Sequence, residues 1–427
     1  MIPLWLFGSD FGLQPLIADP VLTGAIVSVC VADTAGRIEF EHNSSLRVVP
    51  ASNQKLIATA FALDRFGPGK RLETRFWKQD GRLVVESDGD PMLTYSDLLG
   101  IRTNLRLNSG LPILVKQAYR PMFGPGWEFD DLPNKYAAPV TAFTVDRGSV
   151  ELWVKDGKVE YRPPHSALKV RRLPGSTFGV QYDPNVGVAT VTGQLPTGER
   201  RLDTLALPKP DVFAAAVLGG SLQLTPRVPT RPPDWVHRSP VLSEVVAECL
   251  VKSDNNIAEH LILSAAATTK PLGESPYKEA QAQVKAFLTE KVKISANDVR
   301  VDDGSGLSRH NLVTTRGIVQ LLAYGLTQPW GLTWRAGMAK AGKGTLASRL
   351  AGSTFEGKTG TLDNVVALSG FISCKDGKTR LVSIIVNHAP TGSSLVREKV
   401  DAMIRSVENT IGTEFASERK CEVAFPN

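Results

Sequence analysis

Apolar positions along the chain fall into two textures. Residues 24–33 (GAIVSVCVAD) form a nearly unbroken run rich in β-branched side chains. A turn at Thr34-Ala35-Gly36 and a second short run over 37–41 follow, which together predict a β-hairpin. Residues 51–66 change to good helix formers with Leu56, Ala60 and Leu63 on one face, the spacing of a helix. From Gly67 to Pro233 the pattern becomes short and interrupted. Candidate strands at 82–87, 149–154 and 188–192 are separated by Gly, Pro and Asp turns, and the stretch ends in PRVPTRPP over 226–233. Proline fixes φ and cannot continue a helix or a central strand, so that last string reads as a semi-rigid connector.

Helical periodicity returns after this stretch. Ser239-Pro240 and Ser275-Pro276 each look like an N-cap followed by proline at the first helical position. They precede candidate helices over 241–250 and 277–292. Two apolar runs, 365–373 and 380–387, flank the turn Lys375-Asp376-Gly377-Lys378 and predict a second hairpin. A last amphipathic helix is expected over 395–411, closed by Gly412. The two chain ends thus share one mixed texture. The expected organisation is a catalytic-type α+β domain built from residues 1–66 and 234–427, interrupted by a β-rich insertion over 67–233 that reads as two small domains.

Composition narrows the classes. With 427 residues, 42% hydrophobic and 22% charged, and 37 Gly and 28 Pro scattered along the chain, a fibrous or largely disordered protein is excluded. No apolar run approaches the roughly 18 residues of a membrane span. The excess of 49 Lys+Arg over 43 Asp+Glu, a net +6, suits anionic surroundings. The basic residues occur in pairs, Arg171-Arg172 and Arg200-Arg201, rather than in a patch, which argues against nucleic acid as a partner. Cys30, Cys249, Cys374 and Cys421 lack zinc spacing, and Cys249 and Cys374 sit in apolar surroundings as small buried hydrophobes. The opening MIPLWLFGSDFGL has no basic residue before its short apolar stretch, so no signal peptide is visible in it. Either the protein is cytoplasmic or the start shown is not the translated one.

Three short strings carry candidate chemistry. Ser52-Asn53-Gln54-Lys55 opens the first helix, and a serine and lysine three apart share a helix face. A lysine that gives up its proton beside a serine makes that hydroxyl nucleophilic. Ser253-Asp254-Asn255 stands at a break between helices, where a serine could relay a proton and an asparagine could hold an amide. Lys358-Thr359-Gly360-Thr361 precedes the strand at 365–373, where a lysine and hydroxyls suit a carboxylate and Gly360 allows a close backbone approach. Each string alone is common: a capped helix, an Asx turn and a strand-leading turn would account for them. The six histidines show no metal spacing, and Gly304-Ser305-Gly306 is neither a nucleophile elbow nor a phosphate loop.

In this order the three strings form the S-x-x-K, S-D-N, K-T-G set of penicillin-binding proteins and class A β-lactamases. With the flanks VPASNQKL, SDNNIAEHL, DGSGLSRHN and GKTGTLDNVVALSGF, the chain resembles the low-molecular-mass class C penicillin-binding proteins. These are the D-Ala-D-Ala carboxypeptidases/endopeptidases of peptidase family S13. The likeness runs from about Leu22 to Arg405, and the long stretch between Lys55 and Ser253 resembles the large insertion of that family. It implies a penicillin-binding/β-lactamase-like fold, an antiparallel sheet flanked by helices, working without metal or cofactor.

The resemblance also assigns roles. Ser52 would be acylated by the penultimate D-Ala, with Lys55 as base, its pKa lowered by burial and by Lys358. Ser253 would protonate the leaving amine and Asn255 would bind peptide. Lys358 and Thr359 would hold the terminal carboxylate, and the N–H groups of Ser52 and Thr361 would form the oxyanion hole. No counterpart of the class A deacylating glutamate is evident, Glu259 reading as helix support, so a penicillin adduct would last. Trp127, Asp130 and Arg309 would line a pocket for meso-diaminopimelate, with Asp131 making the register ambiguous. The expected partners are peptidoglycan peptides, with β-lactams as covalent inhibitors, in the periplasm or cell-wall space. The alternatives are a β-lactamase or esterase on the same scaffold, or a non-catalytic wall-binding protein.

Overall fold

The structure, a computed structural model, describes residues 11–411 other than positions 121, 166, 167, 269 and 390. Cys421 and the first ten residues therefore lie outside the described residues.

A six-stranded antiparallel sheet organises the chain ends. Its order is Ala339–Lys340, Glu356–Leu362, Val365–Ser373, Thr379–Asn387, Ile26–Asp33, Ile38–His42, so the first hairpin pairs directly with the last. The unbroken apolar runs follow from burial on both faces. Val27, Val29, Val31, Leu368 and Ile384 point into one buried cluster, closed by the helix Ser393–Glu408. Cys30, Ala32, Ala367, Phe371 and Ile385 point into the other. That second cluster is built around the helix Gln54–Phe66, of which every residue from Gln54 to Leu63 is buried. Cys30, Cys249 and Cys374 are all buried free thiols.

Residues 73–224 carry their own buried cluster. A five-stranded sheet runs Gly220–Leu224, Leu111–Gln117, Arg82–Ser87, Glu73–Gln79, Trp235–Arg238. Its first three strands are mutually parallel, and the helix Tyr95–Asn104 makes the crossover between two of them. The helix Pro210–Val217 leads into the edge strand. Two three-stranded sheets complete this part, Lys169–Leu173 with 188–192 and 179–183, and Arg200–Ala206 with 149–155 and 158–162. Among the described residues no helix is long and apolar enough to cross a membrane.

Three local expectations need correction. Ser239 does not cap a helix: the helix starts at Leu242 with Val241 at its N-cap, while the Ser239 hydroxyl accepts from the Leu72 N–H at 2.9 Å. The helix Pro276–Ala286 ends earlier than its periodicity suggests, continuing as one π turn over Phe287–Lys291. Lys358-Thr359-Gly360-Thr361 is not a turn before a strand. It lies inside the strand Glu356–Leu362 and pairs in register with Ser369, Leu368, Ala367 and Val366.

Candidate active site

The first string sits on a tight turn, Ala51–Asn53, that runs straight into the helix Gln54–Phe66. Ala51 is held at φ 47°, a left-handed conformation that costs a non-glycine residue on the order of 1 kcal/mol. The surroundings enforce it. A Cβ on Gly306 would lie 1.9 Å from the Ala51 carbonyl oxygen, and one on Gly360 would lie 2.9 Å from that of Pro50. Gly360 thus admits the turn itself. Among residues 51–55 only Ser52 keeps solvent access.

The Lys55 ammonium is fully buried and spends its three protons on three acceptors. It donates to Ser52 Oγ (2.9 Å), Asn255 Oδ1 (2.7 Å) and the Ser305 carbonyl (2.7 Å). The first two strings are thereby joined through one nitrogen. Ser253, at φ 58°, ends the helix Leu242–Lys252, and Asp254 caps the next, Asn255–Ala266, by accepting from the Ile257 N–H. The third string enters through Lys358, whose buried ammonium donates to Ser253 Oγ (2.8 Å) and to the Thr359 carbonyl (2.7 Å). Ser52, Asn255 and Thr361 line one open cleft of about 660 Å³. The Thr359 hydroxyl is turned towards Thr345 Oγ1 at 2.8 Å.

Burial drives both lysines below the ordinary lysine range, because an ammonium loses its hydration there. Neighbouring charges act on each as well. Cys249, Asp303, Glu259 and Asp254 oppose the fall of Lys55, whereas the charge of Lys55 adds to the fall of Lys358.

A buried carboxylate framework supports this arrangement. Both oxygens of Asp303 are occupied, Oδ1 by the Gly306 N–H and Asn311, Oδ2 by the Ser308 N–H, Ser305 and Trp127 Nε1. Glu259 accepts from the N–H groups of Gly304 (3.0 Å) and Ser305 (2.7 Å). It therefore orients the very carbonyl that receives Lys55. Burial first, then the charge of Asp303, raises the Glu259 carboxyl above the usual carboxylate range. The sequence had read Glu259 as helix support; its oxygens face the Gly304-Ser305 backbone. Ser305 acts through its carbonyl, which no residue type announces.

The remaining predicted residues separate. Arg309 lines the cleft, donating to Glu128 Oε1 (2.8 Å) and to the Asp363 carbonyl (3.0 Å). Asp131 lines it too and accepts from the Tyr136 hydroxyl at 3.0 Å. Asp130 is exposed and not part of that lining; on the tight turn Phe129–Asp131, neighbours point about 120° apart. Trp127 is spent on Asp303. Contacts from two residues had no sequence signal. The Tyr136 carbonyl accepts from Asn255 Nδ2 (3.0 Å), and Arg147 donates to Asp254 (2.9 Å) and Glu248 (3.0 Å). Arg147 is aimed there by three consecutive positive φ angles, 47°, 57° and 66° at Asp146, Arg147 and Gly148.

Comparison with known proteins places these features. The model of the D-Ala-D-Ala carboxypeptidase 3 (S13) family matches residues 11–173 and 186–410. A D-alanyl-D-alanine carboxypeptidase of Actinomadura sp. is 30% identical, over 89% of this chain and 81% of that protein. The crystal structure of penicillin binding protein 4 (DacB) from Haemophilus influenzae shares the fold with TM-score 0.73 at 22% identity, covering 89% of this chain and 94% of that one. A predatory peptidoglycan endopeptidase of Bdellovibrio bacteriovorus superposes with TM-score 0.53 at 14% identity, covering 91% and 95%. The chain belongs to the D-Ala-D-Ala carboxypeptidase 3 (S13) family and has its penicillin-binding, β-lactamase-like fold.

Proposed function

We propose that the chain is a serine-type D-Ala-D-Ala carboxypeptidase that acts on peptidoglycan stem peptides through an acyl-enzyme on Ser52. The observation that carries this reading is the buried Lys55 nitrogen, 2.9 Å from Ser52 Oγ, in a family of this activity. Once Lys55 has shed its proton, its lone pair takes the hydroxyl proton as Ser52 Oγ attacks the penultimate D-Ala carbonyl. The N–H groups of Ser52 and Thr361 receive the developing oxyanion, a contribution of about 3 kcal/mol where such donors have been removed. Ser253, backed by Lys358, passes a proton to the departing amine. Asn255 binds the peptide, with Gly360 keeping the strand close to the nucleophile. The terminal carboxylate is met by Lys358 and by Thr359, whose hydroxyl exchanges Thr345 for it. Water then cleaves the ester. With both Glu259 oxygens engaged by Gly304 and Ser305, nothing supports rapid deacylation, so β-lactams act as covalent inhibitors.

The side chain before D-Ala-D-Ala enters the cleft at Arg309. A guanidinium for a carboxylate and the nearby Asp131 for an ammonium suit the zwitterionic end of meso-diaminopimelate. In this reading Asp130 and Trp127 act from behind, through the turn and through Asp303. The catalytic unit comprises residues 1–66 and 234–427, with 67–233 as its insertion, whose sheet also takes up the strand Trp235–Arg238; its place of work is the periplasm or cell-wall space where the substrate lies.

The test is incubation with a fluorescent penicillin, followed by intact mass and peptide mapping. A stable adduct on Ser52 is expected. Folded protein that stays unmodified while penicilloate accumulates would turn the reading to a β-lactamase, and no reaction at all would leave a wall-binding protein.

A further inference from the structure

Beside the strand of Lys358 stands a hydroxyl that none of the three motif strings contains. Thr359 is buried, and its Oγ1 donates to Thr345 Oγ1 at 2.8 Å. Thr345 is only half-buried, so it is the more accessible residue of the pair. Its oxygen accepts the Thr359 proton, and among the described residues nothing accepts its own. Thr359 and Thr361 are two apart on one strand and share its face, and Thr361 lines the Ser52 cleft. Thr345 therefore sits against the face of the strand that Thr361 turns to the cleft. We propose that Thr345 is a further substrate-binding residue, a second hydroxyl donor to the C-terminal carboxylate of the peptide. The inference rests on the reading of Ser52 as nucleophile and of Lys358 and Thr359 as the carboxylate site.

The local chain holds this hydroxyl in place from two sides. The short strand Ala339–Lys340 pairs with Gly357 and Glu356, directly before Lys358, and so brings the following turn beside Thr359. That turn closes on itself, the Gly342 N–H donating to the Leu346 carbonyl at 3.0 Å and the Leu346 N–H to that of Lys343 at 3.1 Å. Thr345 is the middle residue of the tight turn Gly344–Leu346, and Leu346 is anchored in the buried cluster under the sheet. Gly344 stands at φ 58°, and a Cβ there would lie 2.5 Å from the Val251 carbonyl oxygen. Val251 is two residues before Ser253. The turn is thus wedged between the Ser253 loop and the Lys358 strand, both already part of the site.

Hydrogen-bond chemistry gives the pair its use. A hydroxyl offers one proton and can turn it about its C–O bond. The Thr359 proton rests on Thr345, a neutral acceptor, and a carboxylate is the stronger acceptor because it is charged. On its arrival Thr359 turns its proton to one carboxylate oxygen. Thr345, no longer an acceptor, turns its own proton to the other. The carboxylate is then met by two hydroxyls beside Lys358, with no proton gained or lost. A terminus without the carboxylate has no anionic oxygen for the second donor, so Thr345 selects for peptides with a free C-terminus. The contact is made alike in the bound peptide and in the transition state, so its loss is felt in KM and not in kcat.

The experiment measures kcat and KM of the purified full chain on an N-acylated peptide ending in D-Ala-D-Ala. An N-acyl-D-Ala phenyl ester is the second probe, with the same acyl carbonyl and no terminal carboxylate. The variants are Thr345→Val, which keeps the shape and removes the donor, and Thr345→Ser, which keeps the donor. Thr345→Val is expected to raise the peptide KM about tenfold with kcat held, the scale of one hydrogen bond to a charged group. Its rate on the phenyl ester stays at the wild-type value, and Thr345→Ser restores the peptide KM. An unchanged peptide KM, an equal loss on both probes, a fall in kcat alone, or a serine variant as poor as the valine one would each overturn the assignment. A wild type that cleaves the peptide and its C-terminal amide equally well would instead sink the carboxylate reading of Lys358 and Thr359, and Thr345 with it. A wild type inert to penicillin and to both probes would sink the reading of Ser52.

Discussion

The Ser52–Lys55 pair works because few side chains share the load. Replacing Ser52 with Ala removes one half-buried oxygen whose direct partner among the described residues is Lys55. The expected result is complete loss of penicillin adduct with an unchanged melting temperature, read by mass spectrometry and calorimetry on the same sample. Arg147 tests the electrostatics from a distance. The groups around Lys55 are Asp254, Glu259, Asp303 and Cys249, with Lys358 across the site, and Arg147 neutralises Asp254. In Arg147→Ala the uncompensated Asp254 charge stabilises the Lys55 ammonium. The rising limb of acylation rate against pH then moves to higher pH, while Arg147→Lys leaves it in place. A fall in rate at every pH with no displaced limb would mean that Arg147 only braces the loop. The partly buried pair should cost about 1–2 kcal/mol of stability when broken.

Glu259 gives a stability signature with a definite sign. Its folded carboxyl is raised by burial and by Asp303, so between the ordinary carboxylate range and the raised value the folded state holds more protons than the unfolded one. That stabilisation is complete below the unfolded value and is lost as pH rises through the folded value. Unfolding free energy is expected to decline over this window, and Glu259→Gln should flatten the decline. An identical slope in the variant would assign it to another group.

At the scale of elements, the turn before Ser52 is clamped between the Gly306 loop and the strand of Lys358. Gly306 sits at φ 83° with no room for a Cβ against Ala51. Gly306→Ala should therefore cost about 2–4 kcal/mol and displace Ser52, lowering melting temperature and acylation together. A variant that lost stability but acylated normally would show the clamp to be dispensable for chemistry. This clamp also marks where sequence reading stops. Runs such as 24–33 and 365–373 were legible as strands because burial on both faces leaves an apolar residue at nearly every position. The strand of Lys358 was not, since Lys, Gly and Thr-Gly pairs look like a turn, and its Gly360 leaves room for the Pro50-Ala51 turn. Ser239-Pro240 likewise had the chemistry of a cap and spent it on Leu72. The three motif strings were readable because each is local. Arg147, Tyr136 and Ser305 reach the site from distant segments, two of them through carbonyls, and leave no spacing to find.

Across the whole molecule, the buried clusters on the two faces of the six-stranded sheet are distinct from the cluster within residues 73–224. The seam between the two parts is specific. Tyr119, Val140 and Ala142 pack into the catalytic side, Tyr119 hydrogen-bonds to His260 at 2.6 Å, and Arg147 meets Asp254. The inserted part has the weaker core, for four of the five residues of the strand Lys169–Leu173 are exposed. Calorimetry of the full chain is therefore expected to resolve two transitions, the insertion melting first. Penicillin binds in the Ser52 cleft, which Glu128, Asp131 and Tyr136 of the inserted part help to line, and should raise the second transition more than the first. Leu152→Ala, deep in the insertion's cluster, should lower the first by the equivalent of about 2–4 kcal/mol. If penicillin moved both transitions together, the seam at Tyr119 and Arg147 would be strong enough to make the insertion part of the catalytic folding unit. The Ser52 cleft, lined from both parts, would then be a rigid feature of one folding unit, not an opening between two bodies.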